Sequence, residues 1–122
     1  MEKPRDIRER TFRFAADIVR LCRHLDEKPG VERTLSKQLL RSGTSIGANV
    51  EEAQAGQSRA DFTSKYAIAL KEARETIYWL RLLKESGSVK GDSVEMLVQE
   101  ASELSRILGS IIAKTKKGSD RT

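Results

Sequence analysis

Apolar residues recur along this chain at alternating steps of three and four, and three clusters of turn-forming residues interrupt them. The first break is Asp26-Glu27-Lys28-Pro29-Gly30, the second Gly56-Gln57-Ser58, and the third Gly87-Ser88-Val89-Lys90-Gly91. The stretches between them carry a helical rather than an alternating period. They predict four helices, over about 5–25, 32–56, 59–86 and 93–116. In the first, Ile7, Phe14, Ile18, Leu21 and Leu25 share one side. In the fourth, Val94, Leu97, Ala101, Leu104, Leu108 and Ile111 do the same, behind a capping signature of Asp92 and Glu95. Ser58 and Asp61 offer a similar start to the third helix. Nothing reads as a strand. Four amphipathic helices with short connections predict an all-α, antiparallel up-down-up-down four-helix bundle, with residues 1–122 as a single domain.

The two middle helices have more than one face to bury. Helix three has a core stripe of Phe62, Tyr66, Ala69, Leu70, Ala73, Ile77 and Leu80. A second set, Ile68, Trp79, Leu82 and Leu83, falls well round the helix from that stripe. A second stripe holding the only Trp points to a subunit interface, with Glu72 and Glu75 placed among it for a neighbour's Arg. The plainer reading is a broad core contact with an exposed Trp. On helix two, Leu35, Leu39, Ile46, Val50 and Ala53 form the core stripe. Gly43 and Gly47 lie on one flank and imply close approach of a neighbouring helix, since glycine inside a helix costs about 1 kcal/mol relative to alanine. We expect both glycines at the oligomer interface. The other flank holds Gln38, Arg41, Ser45, Asn49 and Glu52, a set suited to a semi-buried hydrogen-bond network that fixes register.

Charge sharpens the picture. Charged residues make up 34% of the 122 and the net charge is +5. The excess sits at the two ends, where residues 1–25 hold seven Lys/Arg against four Asp/Glu and residues 114–122 hold four against one. An even number of antiparallel helices brings both ends to one end of the bundle. Lys3, Arg5, Arg8, Arg10 and Arg13 then join Lys114, Lys116, Lys117 and Arg121 in a basic pole, which suits a polyanionic partner such as RNA or DNA. The bland alternative is a set of solvated helix ends.

The inventory for catalysis is poor. The single histidine, His24, and the single cysteine, Cys22, stand two apart on a helix and cannot face one another. One cysteine excludes a disulfide framework and a Cys-based zinc site, and Cys22 reads as a small buried hydrophobe. Glu51, Glu52, Glu72 and Glu75 could gather as carboxylates, but no Glu precedes His24 by three as a di-iron bundle requires. No phosphate loop, nucleophile motif or metal-ligand spacing occurs. We therefore expect no enzyme, no metal and no cofactor. No apolar run approaches a membrane span and the start lacks a secretory h-region, so the expected setting is the cytoplasm, with no membrane partner.

The run Gln38-Leu-Leu-Arg-Ser-Gly-Thr-Ser-Ile-Gly-Ala-Asn-Val-Glu-Glu-Ala53 is distinctive, as are Asp61-Phe62 and Ala69-Leu-Lys-Glu-Ala-Arg-Glu-Thr-Ile-Tyr-Trp-Leu80. Together they resemble the bacterial four-helix-bundle family of 23S rRNA intervening-sequence proteins, also called the S23 family, over nearly the whole chain. They are also similar to the accessory proteins of diversity-generating retroelements, basic pentameric bundles that work with a reverse transcriptase and nucleic acid. The resemblance implies a homopentameric barrel without established catalytic residues. It places Gln38, Arg41, Ser45, Asn49 and Glu52 as structural or interface positions. Two functions are then open. One is a non-enzymatic cyclic oligomer binding nucleic acid, RNA foremost, through its basic pole, with Gly43, Gly47, Ile68, Glu72, Glu75, Trp79 and Leu82 at the subunit contact. The other is a scaffold or accessory subunit for another protein, such as a reverse transcriptase.

Overall fold

The computed structural model describes residues 6–56 and 58–120. Four helices account for nearly all of them: α1 (Ile7–Asp26), α2 (Val31–Gln54), α3 (Arg59–Glu85) and α4 (Gly91–Asp120). Each helix packs on its sequence neighbour and α4 closes back on α1. That is the up-down-up-down bundle.

Local chemistry sets the boundaries. Asp6 caps α1 by accepting from the Arg8 amide at 3.1 Å, and Ser58 caps α3 by accepting from the Asp61 amide at 3.0 Å. The turn before α2 has Gly30 at φ 100°, and the turn after α3 has Gly87 at φ 80°, both in the left-handed region that a side chain disfavours. Helix α4 begins at Gly91, so Asp92 stands inside the first turn rather than before it. There it complements the positive end of the helix dipole.

The core runs the length of the bundle. Phe14, Ile18, Cys22 and Leu25 of α1 meet Leu39, Ile46, Val50 and Ala53 of α2. Tyr66, Ala69, Ala73, Leu80 and Leu83 of α3 and Val94, Ala101, Leu104 and Leu108 of α4 complete it. Leu83 is fully buried here, which removes it from the outward stripe expected on α3. Four polar side chains are also buried: Thr11, Ser36, Ser42 and Thr76. Each has a partner, as burial demands. Thr76 and Ser42 join α3 to α2 with their hydroxyl oxygens 2.9 Å apart. The Ser36 hydroxyl donates to the Cys22 carbonyl at 3.3 Å, tying α2 to α1.

The two helix-interior glycines of α2 are explained within the chain. A Cβ on Gly43 would stand 2.8 Å from Cγ2 of Ile18, and one on Gly47 would stand 3.2 Å from the Thr11 carbonyl oxygen. Helix α1 is thus the neighbour they admit. Their assignment to a subunit contact is corrected: both are buried in the α1–α2 seam.

Candidate nucleic-acid interface

The start of α1, the end of α2, the start of α3 and the end of α4 share one pole. Arg8 of α1 binds Glu51 of α2 in a two-pronged ion pair, with nitrogen–oxygen distances of 3.1 and 3.2 Å. Gln54 donates to the Tyr66 hydroxyl at 3.2 Å, and Phe62 stacks on Tyr66 with centroids 4.3 Å apart. A Cβ on Gly118, near the end of α4, would lie 3.7 Å from the Arg59 guanidinium. These contacts fix the order of the pole: α1 beside α2, and α3 beside α4.

The expected basic residues divide into two groups. Arg8 is engaged by Glu51, whose hydrogen bond and charge hold its guanidinium even more firmly protonated than usual. Arg13 pairs with Glu9 one turn away at 3.1 Å. Lys114, Lys116 and Lys117 are on the last turns of α4 and have no ion pair among the described residues. Lys117 also complements the negative end of the α4 dipole. Lys3, Arg5 and Arg121 lie outside the described residues.

Contacts predicted for a neighbouring subunit are met inside the chain. Arg41 reaches across from α2 to α3, binding Glu72 at 3.3 Å and also Glu75. Glu75 in turn accepts from the Trp79 indole at 2.9 Å. The Arg expected from a neighbour is therefore this chain's own. Ile68 is 40% exposed, while Trp79 and Leu82 are half-buried. Of the polar flank on α2, Arg41 alone bridges to another helix among the described residues. Ser45 donates to the Arg41 carbonyl at 2.7 Å and Asn49 to the Ser45 carbonyl at 2.8 Å, both within α2. Gln38 accepts weakly from Arg41 at 3.5 Å, and Glu52 is exposed. The hydroxyls that lock register are instead Ser36 and Ser42.

Sequence reasoning missed several exposed apolar side chains, of which Phe12 at 72% and Met96 at 71% are the most open. Phe12 overlooks a shallow groove between α1 and α2, lined by Ala15, Thr44, Gly47 and Ala48. Its signal was available, because position 12 breaks the step that joins Ile7, Phe14 and Ile18. It also missed the Arg10–Glu100 pair, which closes α1 on α4 at 2.7 Å and is less than one-third exposed on either side.

Among the described residues no group of three or more His, Cys, Asp or Glu could hold a metal ion. No helix there is long and apolar enough to cross a membrane. Burial pushes the Cys22 thiol above its usual range, so it is a poor nucleophile. What the fold defines is a four-helix bundle with a lysine-bearing end.

The family model for 23S rRNA-intervening sequence protein matches residues 3–110, and the chain belongs to that family. A crystal structure from Bacteroides thetaiotaomicron, of a protein of unknown function from the S23 ribosomal protein family, is 44% identical. The match covers 88% of this chain and 98% of that one, with a TM-score of 0.82. No curated protein matches the chain.

Proposed function

We propose that the chain is a non-enzymatic, homo-oligomeric bundle that binds the nucleic-acid backbone, RNA foremost, through the pole where α4 ends. One observation carries this reading. Lys114, Lys116 and Lys117 lie at one end without ion-pair partners among the described residues, whereas Arg8 and Arg13 are neutralised nearby. A cation spent on a carboxylate must give up that pair to meet a phosphate, and a free lysine need not. Membership in a family described by an rRNA intervening sequence supports RNA as the polyanion.

Self-association is supported by the outward apolar side chains on α3, Ile68 and the half-buried Trp79 and Leu82. The resemblance carried by the α2 and α3 motifs supports five subunits. A ring repeats the lysine pole in each copy, so that weak single contacts add through avidity. Retention of single- and double-stranded RNA and DNA across a salt series, with light scattering on the same sample, tests both parts. We expect an oligomer that retains RNA at low salt and releases it as salt rises. A monomer of 13.7 kDa at micromolar concentration removes the assembly claim. No retention at low salt removes the nucleic-acid claim and favours a protein scaffold, for which the exposed Phe12 and Met96 speak.

A further inference from the structure

We infer that one sector of the outward side of α3, beside the flank of Ile68, Trp79 and Leu82 assigned to self-association, is a strip for single-stranded nucleic acid, with Tyr78 as a base-stacking surface and Lys71, Arg74 and Arg81 as phosphate contacts. This rests on the reading that the chain binds nucleic acid, but it places a different site from the lysine pole. At about 100° per residue the four side chains fall within one sector of the helix, and all four are exposed. From Lys71 to Arg81 the helix rises about 15 Å. A stacked strand advances ~3.4 Å per phosphate, so this length matches about four phosphates.

Charge on this face is available rather than spent. Lys71, Arg74 and Arg81 have no ion pair among the described residues. The acids on the adjoining flank are occupied, since Glu72 and Glu75 are held by Arg41, and Glu75 also by the Trp79 indole. Glu95 of α4 is taken by Lys84. Glu85, exposed, closes the strip at its C-terminal end.

Tyr78 is unusual for its setting. A tyrosine on a solvated helix face has no core to join, yet this ring is 58% exposed and stands edge-on to Trp79 with centroids 5.1 Å apart. The indole is itself tied to Glu75, so the phenol is braced on one side. An aromatic ring flanked by arginines one turn before and one turn after is the arrangement by which unpaired bases stack while phosphates find cations. Bases in a duplex have both faces covered, so a duplex can use the cations alone. The site therefore discriminates strand state.

The test uses fluorescence anisotropy of the full chain with a labelled oligo-uridine strand, an oligo-thymidine strand and a duplex of equal length. We expect Tyr78→Ala to weaken both single strands about ten-fold and to leave the duplex unchanged. Tyr78→Phe keeps the affinity, because the ring rather than the hydroxyl stacks. The triple variant Lys71→Ser, Arg74→Ser, Arg81→Ser lowers single-strand affinity and flattens its salt dependence. Unchanged single-strand affinity in Tyr78→Ala overturns the strip, and so does an equal loss for strand and duplex. A drop in oligomer mass accompanying the loss overturns it too, since Tyr78 would then act through assembly. If the strip variants bind normally while Lys114→Ser, Lys116→Ser, Lys117→Ser does not, the strip falls and the pole stands.

Discussion

Helix α1 makes two seams, and they are built in opposite ways. Against α2 its middle turns meet glycine and hydroxyls, with the long Arg8–Glu51 pair kept to the end of the seam. Gly43 lets Ile18 approach so closely that a Cβ would sit 2.8 Å from it, and the Ser36 hydroxyl reaches the Cys22 backbone. Against α4 it meets long side chains. Arg10 and Glu100 pair at 2.7 Å, and open grooves follow the seam, lined by Arg13 and Asp17 at one stretch and by Leu21, His24 and Met96 at another. Small residues bring two backbones together and leave no room for change; large ones hold helices apart and tolerate it. The same helix is therefore rigidly placed on one side and clasped on the other.

The contrast between the seams is greatest at the glycines. Gly43→Leu should destabilise by about 3 kcal/mol, because the buried, β-branched Ile18 cannot move aside. Gly43→Ala should also lose stability despite its better helix propensity. Gly109→Ala is the matched control, since nothing lies within 4 Å of a Cβ there. It should gain up to about 1 kcal/mol. Urea denaturation of the three variants checks this, and a Gly43→Ala variant as stable as Gly109→Ala would show that the α1–α2 seam yields.

Charge at the open seam comes next. Glu100→Gln should cost about 1 kcal/mol, because Arg10 is mostly covered and loses the carboxylate that two of its nitrogens meet. Removing the exposed Arg20–Asp17 pair on α1, by Arg20→Ala, should change stability by no more than about 0.5 kcal/mol. Equal effects in the same melts would mean that the Arg10 clasp is no stronger than surface decoration.

The smallest effect is a pH dependence. Burial raises the Cys22 thiol and the Tyr66 phenol above their free values. The fold therefore favours their neutral forms. For the thiol, that contribution is complete below its free value of about 8.5 and is lost as pH rises through the folded value. Thermal melts should decline on the alkaline side, with the earliest part missing in Cys22→Ala. A thiol reagent at neutral pH should react slowly with the native chain and quickly once it is unfolded.

The fold was legible because its signals are local and repeated. The three-and-four steps of Val94, Leu97, Ala101, Leu104 and Leu108 need no partner to be recognised, and Ser58 declared the start of α3. The glycines of α2 announced a close neighbour but not which one. A sequence carries no information on whether the approaching helix belongs to the same chain, and here it is α1. Glu72 and Glu75 conceal their partner in the same way, since Arg41, thirty-one residues before Glu72, falls on a separate stripe of the sequence. Periodicity alone places Ile68, Trp79 and Leu82 outward, and Leu83, one step further round, is core. Net charge showed where cations concentrate. It could not show that Arg8 and Arg13 were already engaged, because that depends on carboxylates brought close by folding.

The division between spent and free cations is measured most directly by the salt slope of RNA binding. Each phosphate that the protein ceases to neutralise should shrink the slope of log affinity against log salt by roughly 0.7 to 0.9. Lys114→Ser, Lys116→Ser, Lys117→Ser should flatten it by several such steps, whereas Arg8→Ser, Arg13→Ser should leave it nearly unchanged. The reverse order, with the paired arginines setting the slope and the lysines silent, would refute that division.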